Sequence, residues 1–264
     1  MEPVPLIMLQ SLIMNEKTLK LLTDLHINNH RQGPGSDSAF MRALELSGID
    51  TSASLEIADI GCGTGSATIP LLQHTKARVA GVDLLPAFLE KLQANATEDG
   101  VADRLQVATT DMADPPFADE QFDAIWSEGA IYNIGFAKGV KEWKRFLKPG
   151  GVLVASEITW TRADVPEELR KYWDQEYPEV DLASNKIAVL ENNGYSPMGY
   201  FTLTPDCWLE NYYEPIQKEL DAFIERNGNS EKAREIANAE RQEYELYKKY
   251  QDYVSYGMYI ARKL

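Results

Sequence analysis

Glycines occupy three alternate positions, Gly61, Gly63 and Gly65, at the end of an apolar β-type run. Without a Cβ, such residues let the chain turn tightly and bring its backbone close to a ligand. We expect a helix from Thr64, and its free N–H groups would suit an anionic or carboxylate group. The stretch LEIADIGCGTGSAT, residues 55–68, therefore predicts a nucleotide-like ligand, with a plain strand-to-helix turn as the alternative.

An acidic residue follows this glycine loop (residues 61–65) at the end of the next apolar run, ARVAGVD. Asp83 stands about 20 residues after the loop, where a carboxylate can accept both hydroxyls of a ribose. The dinucleotide-binding pattern GxGxxG has its third glycine at the sixth position. This loop reads GCGTGS, however, and has its third glycine at the fifth position. A nicotinamide-dependent oxidoreductase is therefore the less favoured interpretation.

Together with later motifs, the loop resembles the class I S-adenosylmethionine-dependent methyltransferases. In that family an acidic residue precedes GxGxG, as Asp59 does here, and another acidic residue near the adenine follows the third strand, as Asp111 does. FDAIWSEGA matches the fourth strand and LKPGG the turn before the fifth, so the motifs span residues 55–157. The resemblance implies S-adenosyl-L-methionine as cofactor, bound by Arg31, Gly33, Asp59, Gly61, Cys62, Gly63, Gly65, Asp83, Leu84, Asp111, Met112 and Ser127.

Two further segments, RQGPGS and WSEGAIYNIGF, resemble the ubiquinone and menaquinone biosynthesis branch of small-molecule methyltransferases. This resemblance does not identify the acceptor, because methyltransferases share the half that binds the cofactor and vary the half that binds the acceptor. A small-molecule acceptor is expected. A non-catalytic module that keeps the cofactor pocket is a third hypothesis.

The polar stretch HINNHRQGPGSDS, residues 26–38, is a candidate lid and is called the lid segment below. Ser36 or Asp37 can cap the helix that follows it. In related enzymes an N-terminal segment closes over the methionine end of the cofactor, where Arg31 can pair with the carboxylate. A solvated surface loop is the alternative.

Methyl transfer from a sulfonium needs alignment and exclusion of water more than covalent help. An acceptor that is a phenol, an acidic carbon or an ammonium also needs a base, for which the candidates are Glu128, His30 and His26. The aromatic residues that follow strands four and five predict an acceptor pocket made by Tyr132, Trp160 and Trp173. Cys62 fits better as a small residue in the turn than as a nucleophile, and no metal site is predicted.

The balance of 26 basic against 41 acidic residues gives a net charge of −15, which argues against nucleic acid or an anionic membrane as partner. No apolar run reaches the ~18 residues of a membrane span, and the N-terminus does not resemble a signal peptide, so a cytoplasmic location is expected. Two cysteines argue against a disulfide framework. Whether the chain forms a homodimer is left open.

Alternating strand and helix patterns predict an α/β, Rossmann-like fold with a mostly parallel sheet and helices on both faces. Outside the alternating part, helices are predicted over 12–25, 181–193 and 206–226. The family resemblance implies seven strands, an antiparallel last strand and a helical insertion before it. Three regions are expected: N-terminal helices and lid in 1–50, the cofactor-binding core in 51–160, and in 161–264 the rest of the sheet with the acceptor-covering insertion.

Overall fold

A computed structural model describes residues 16–264 of the chain. The helices are α1 Glu16–His26, α2 Asp37–Ser47, α3 Thr68–His74, α4 Pro86–Glu98, α5 Phe136–Trp143, α6 Glu167–Glu176, α7 Ala183–Asn192, α8 Pro205–Trp208, α9 Glu214–Arg226 and α10 Glu231–Tyr250. The strands are β1 Glu56–Ile60, β2 Arg78–Asp83, β3 Leu105–Thr109, β4 Phe122–Ser127, β5 Leu147–Trp160, β6 Asp181–Leu182, β7 Tyr195–Thr202 and β8 Val254–Lys263.

The strands form one sheet in the order β3-β2-β1-β4-β5-β8-β7, and the short β6 pairs with β5. Strands β1 to β5 are parallel, because a helix or loop crossover carries the chain back between them. The last strand in sequence, β8, runs antiparallel to both β5 and β7. The predicted Rossmann-like architecture is confirmed, with β6 as an eighth strand that the sequence pattern did not indicate.

The order of the strands reverses between β1 and β4, because the chain builds outward to β3 on one side and then to β5 on the other. Ligands of open α/β sheets bind beyond the carboxyl ends of the strands at such a point. The strands beside it are buried on both faces: Ile57, Ala58 and Ile60 of β1 are fully covered. This rigid centre holds the loops that follow β1, β2 and β4.

Helix boundaries differ from the sequence prediction in three places. Helix α3 begins at Thr68 and not at Thr64, because Gly65 has a φ of +104°, which no right-handed helix accommodates. The helix predicted from residue 181 begins at Ala183, since β6 takes the two preceding residues. The helix predicted over 206–226 is interrupted by a π-helical turn, Leu209–Tyr213.

The helical insertion, α8 to α10, lies between β7 and β8 as expected. It packs against α1, and Arg226 on α9 pairs with Asp24 on α1 at 2.8 Å. The start predicted for the first helix, Leu12, lies outside the described residues, as does part of the predicted 1–50 region. Within residues 16–264, every helix is too short or too polar to cross a bilayer.

Candidate functional site

A cavity of about 580 Å³ opens at the carboxyl ends of β1, β2 and β4. Its size is that of a small-molecule site. Many residues predicted to bind a ligand line it, and they come from separate parts of the sequence: Arg31, Gly33, Gly61, Cys62, Gly63, Asp83, Leu84, Asp111, Met112, Glu128 and Tyr132.

Two glycines of the loop have backbone conformations that side chains rarely adopt. Gly61 has a φ of +78° and Gly63 one of +53°. A Cβ on Gly61 would overlap the Cβ of Ala130, and one on Gly63 would come within 2.8 Å of the side-chain oxygen of Gln32. Only glycine at these positions lets the loop lie flat along the cavity wall.

The carboxylate of Asp83 is fixed by two backbone amides, so it faces the cavity in one orientation. Gly63 N donates to Oδ2 at 3.0 Å, and Leu85 N donates to Oδ1 at 2.9 Å. Burial raises the pKa of Asp83, although these two hydrogen bonds favour its charged form. A carboxylate accepts about four hydrogen bonds, so two lone-pair positions remain for a ligand. Leu84, the next residue, also lines the cavity and is 54% exposed, so it offers an apolar surface beside the carboxylate of Asp83.

Opposite charges face each other at the lid side of the cavity. Arg31 is 3% exposed, and its Nη1 lies 3.6 Å from Oε2 of Glu128, whose side chain is 9% exposed. Arg31 also reaches the exposed Asp37 at 3.3 Å, and Trp126 Nε1 donates to the other oxygen of Glu128 at 2.8 Å. Burial raises the pKa of Glu128, and the charge of Arg31 opposes that rise. The pair therefore presents one positive and one negative group to the same space.

The lid segment is tied to the glycine loop by Gln32, a residue that the sequence did not single out. Its side-chain oxygen accepts from Thr64 N at 3.0 Å and from Thr64 Oγ1 at 2.8 Å. Its amide nitrogen donates to the carbonyls of His26 at 3.2 Å and Asn29 at 3.0 Å. In the sequence, only the position of Gln32 between Arg31 and Gly33 could have indicated its role. Its hydrogen-bond partner Thr64 lies elsewhere in the chain.

Three residues predicted to touch the cofactor lie outside the cavity lining and support it instead. Asp59 is buried and accepts from Thr68 Oγ1 at 2.5 Å, which joins β1 to α3. Ser127 is fully buried and donates to the carbonyl of Ile60 at 2.8 Å, which joins the ends of β4 and β1. Gly65 faces α4, where a Cβ would crowd Leu92 at 2.5 Å.

Three predicted catalytic or acceptor residues are also not part of the cavity. His30 lines a separate surface groove, on the side of the glycine loop where Thr64 and Gly65 also line it. Trp160 ends β5, where it pairs with β6 and β8 and is buried in the core. Trp173 packs against Tyr172 on the buried side of α6. Of the predicted acceptor residues, Tyr132 alone lines the cavity.

Comparison with known proteins agrees with this geometry. Residues 57–151 match the family described as "Methyltransferase domain". Erythromycin 3''-O-methyltransferase of Saccharopolyspora erythraea is 36% identical over 121 residues, 44% of this chain and 37% of that protein. The uncharacterized methyltransferase YodH of Bacillus subtilis is 26% identical over 209 residues, 78% of this chain and 84% of that protein.

The match covers only 40% of the length of the methyltransferase GfsG of Streptomyces halstedii and 29% of sterol 24-C-methyltransferase ERG6B of Gibberella zeae, so these relatives extend well beyond the shared part. Among solved structures, an S-adenosylmethionine-dependent methyltransferase of Geobacter sulfurreducens, in complex with S-adenosyl-L-homocysteine, superposes with a TM-score of 0.81 at 18% identity. That superposition covers 93% of this chain and 98% of the other. Residues 57–151 thus match a methyltransferase domain, and the chain shares the fold of a solved S-adenosylmethionine-dependent methyltransferase.

Proposed function

We propose that this protein transfers a methyl group from S-adenosyl-L-methionine to a small-molecule acceptor. The observation that carries the proposal is the Arg31–Glu128 pair on the wall of the same cavity that holds the Asp83 carboxylate. A molecule with an amino acid at one end and a nucleoside at the other fits both ends of this arrangement.

The nucleoside end fits the side of the cavity formed by β2 and β3. Asp83 keeps two acceptor positions for ribose hydroxyls, because its backbone hydrogen bonds use the other two. Leu84 and Met112 line the cavity next to it and offer apolar surface to a purine ring. Asp111 lies at the same wall, with Oδ1 held by Ala113 N at 2.8 Å and a second oxygen left for the base.

The methionine end fits the lid side. Arg31 can form a bidentate contact with the α-carboxylate, and the buried Glu128 carboxylate can accept from the α-ammonium. With the zwitterion bound, each buried charge has a partner of opposite sign, which offsets the cost of keeping it from water. Glu128 then serves the cofactor, and this contact competes with its predicted role as a base.

The bound cofactor supplies a methyl group on a positively charged sulfur with a thioether as leaving group. The protein's own contribution is to orient the two reactants and exclude water. The glycine loop sets the position of the cofactor, and the lid segment, held by Gln32, covers its methionine end. Tyr132 and Tyr212 line the part of the cavity left for the acceptor.

Isothermal titration calorimetry with S-adenosylhomocysteine tests the cofactor assignment. We expect one saturable site whose affinity falls at least about tenfold in Asp83→Asn, since one charged hydrogen-bond acceptor is lost. Asp103→Asn, an exposed change of the same kind on the turn before β3, is the matched control. Absence of saturable binding, or equal binding by Asp83→Asn, would overturn the assignment.

A nicotinamide dinucleotide is the rival ligand, and NADH fluorescence titration separates the two. The Arg31–Glu128 pair favours a zwitterion over a second ribose, so we expect NADH to leave the fluorescence unchanged under conditions that saturate S-adenosylhomocysteine. The narrower resemblance to the ubiquinone and menaquinone branch and a cytoplasmic location remain predictions from the sequence. The acidic net charge of −15 supports a small molecule over nucleic acid as acceptor.

A further inference from the structure

The helical insertion holds the lid segment at Gly35, whose two backbone polar groups both bond to it. Asn211 Nδ2 donates to the Gly35 carbonyl at 2.8 Å, and Gly35 N donates to the carbonyl of Cys207 at 3.3 Å. The contact between Asn211 and Gly35 spans 176 residues of sequence. The lid segment is therefore held from two sides, by the glycine loop through Gln32 and by the insertion through Gly35.

The space in which a side chain of Gly35 would begin is taken by the Arg31–Glu128 pair. A Cβ on Gly35 would come within 2.7 Å of Arg31 Nη1 and within 3.6 Å of Glu128 Oε2. The absence of a side chain thus lets the lid backbone approach the guanidinium closely. A shift of the Gly35 backbone would move the surface against which Arg31 packs.

The part of the insertion that holds Gly35 is itself fixed to the sheet. Trp208, which ends α8, is 2% exposed, and its Nε1 donates to Ser255 Oγ on β8 at 3.0 Å. The Trp208 ring also packs on Tyr256 of β8, with the ring centroids 4.8 Å apart. A chain of contacts therefore runs from β8 through α8 and the lid segment to Arg31.

The π-helical turn, Leu209–Tyr213, directs consecutive side chains to different places. Asn211 reaches the lid segment and Tyr212 lines the cavity, whereas Tyr213 lies within the insertion. The Tyr213 hydroxyl donates to Glu243 Oε1 on α10 at 2.8 Å. Turns of this kind are rare and often occur at functional sites. One short turn therefore contacts both the lid segment and the wall of the cavity.

We propose that Asn211 is a positioning residue of the cofactor site. Through Gly35, it keeps Arg31 and Glu128 in place for the amino-acid end of S-adenosyl-L-methionine. This inference rests on the proposed function. It makes Asn211 important for a ligand that carries the α-carboxylate and the α-ammonium, and unimportant for one that ends at the nucleoside. Because Tyr212 follows Asn211 in the chain, the same turn also contributes to the acceptor side of the cavity.

The physical basis of the effect is preorganisation of Arg31. A long arginine side chain has many rotamers, and fixing it before the ligand binds lowers the entropy cost of binding. Gly35 restricts Nη1 as long as its own backbone is held by Asn211. The nucleoside end does not depend on this contact, because Asp83 and Asp111 are oriented by backbone amides of their own loops.

Calorimetry with two ligands tests the inference without any acceptor. S-adenosylhomocysteine carries the amino-acid end, and 5′-methylthioadenosine has the same nucleoside and sulfur but lacks that end. We expect Asn211→Ala to weaken S-adenosylhomocysteine about fivefold to tenfold, because one hydrogen bond to the lid backbone is lost, and to leave 5′-methylthioadenosine within about twofold of wild type. Asn238→Ala, exposed on α10 of the same insertion, is the matched control and should bind both ligands as wild type.

A double-mutant cycle distinguishes positioning from a general loss of structure. Arg31→Gln should weaken S-adenosylhomocysteine more than Asn211→Ala does, since it removes the group that contacts the carboxylate. If Asn211 acts through Arg31, the double variant should bind about as weakly as Arg31→Gln alone, so the two effects should not add. This comparison needs S-adenosylhomocysteine only, and it is decisive even where 5′-methylthioadenosine binds too weakly to measure.

Gly35→Ala tests the same contact from the side of the lid segment and replaces Asn211→Ala if that variant is unstable. The added methyl group would come within 2.7 Å of Arg31 Nη1 and displace the guanidinium, while the backbone carbonyl can still accept from Asn211. We expect the same selective loss of S-adenosylhomocysteine affinity. Urea unfolding of each variant shows whether the fold is intact.

Three results would overturn the inference: unchanged affinity of Asn211→Ala for S-adenosylhomocysteine, equal losses for the two ligands, or additive effects of Arg31→Gln and Asn211→Ala. Each of them leaves the proposed function standing, since S-adenosylhomocysteine still binds to the unmodified protein. Absence of saturable binding by the unmodified protein would instead remove the proposed function itself.

Discussion

Gln32 joins the lid segment to the glycine loop through Thr64, whose backbone N–H and hydroxyl both donate to the glutamine side-chain oxygen, at 3.0 and 2.8 Å. The contact spans 32 residues of sequence and places Arg31 and Gly33 over the cavity. The lid is thus part of the folded site in this structure, and the Gln32 amide is the group that joins it to the glycine loop.

We predict that Gln32→Ala weakens binding of S-adenosylhomocysteine about tenfold, because two hydrogen bonds worth roughly 1 kcal/mol each hold the lid segment in place. Calorimetry measures the change. Gln93→Ala, on the exposed face of α4, is the control and should bind as wild type. Unchanged binding by Gln32→Ala would show that the lid does not contribute to the cofactor site.

Gly61→Ala should impair binding and stability together, since the new methyl group would overlap Ala130 and the residue would have to keep a φ of +78°. We expect a loss of about 1–3 kcal/mol in the free energy of unfolding, measured with urea. The double variant Gly61→Ala/Ala130→Gly relieves the overlap but not the backbone strain. It should recover only part of the loss, and full recovery would contradict the role given to the backbone conformation.

The buried ion pair between Lys186 and Glu157 predicts an asymmetric mutational response. Their charged atoms lie 2.7 Å apart, at 4% and 0% exposure. Lys186→Met leaves a buried carboxylate without its cation and should lower the free energy of unfolding by about 3–5 kcal/mol. Adding Glu157→Gln to Lys186→Met should restore most of the lost free energy of unfolding.

The exposed pair Lys171–Glu167 provides the control for that measurement, because solvent screens it. Lys171→Met should change the free energy of unfolding little. Equal effects of Lys171→Met and Lys186→Met, or no recovery in the double variant, would contradict the importance of burial.

Asp59 predicts a pH dependence of stability. Burial raises its pKa from 3.8 to about 7, so between these pH values the folded state binds more protons than the unfolded state. Its contribution to the free energy of unfolding is therefore full below pH 3.8 and is lost as pH rises through about 7.

Asp59→Asn should remove this part of the pH dependence, because an amide still accepts from Thr68 but does not ionise. Urea unfolding at several pH values gives the comparison. Glu157 and Glu243, whose pKa values burial also raises, keep their contributions in both proteins. An identical slope in wild type and variant would contradict an uncharged Asp59 in the folded state.

The parts of the site that the sequence predicts are those set by local backbone chemistry. Gly61, Gly63 and Asp83 stand at strand ends, and the alternation of strands and helices brings those ends to one edge of the sheet. The role of Asp59 was predicted less well, because the pattern places it in the first strand but does not show that its side chain points at Thr68 rather than at a ligand.

The local sequence pattern did not predict the contacts that depend on tertiary packing. His26 meets Glu240 only because α1 packs against the helical insertion, and the π-helical turn that presents Tyr212 has no local signature in LENYY. Trp160 and Trp173 illustrate the opposite error. Their place at and after strand five indicated the pocket, but β6 and β8 flank Trp160 at the end of β5, and Trp173 packs on the buried side of α6.

Transfer of a labelled methyl group tests the central claim most directly. The protein is incubated with S-adenosylmethionine carrying a ¹³C-methyl group and with the small-molecule fraction of a cell extract, and mass spectrometry follows the label. We predict that the label appears in a small molecule with wild type and with Asp103→Asn but not with Asp83→Asn. Label that stays on the cofactor, although calorimetry shows that the cofactor's product binds, would contradict methyl transfer and indicate a non-catalytic binding protein.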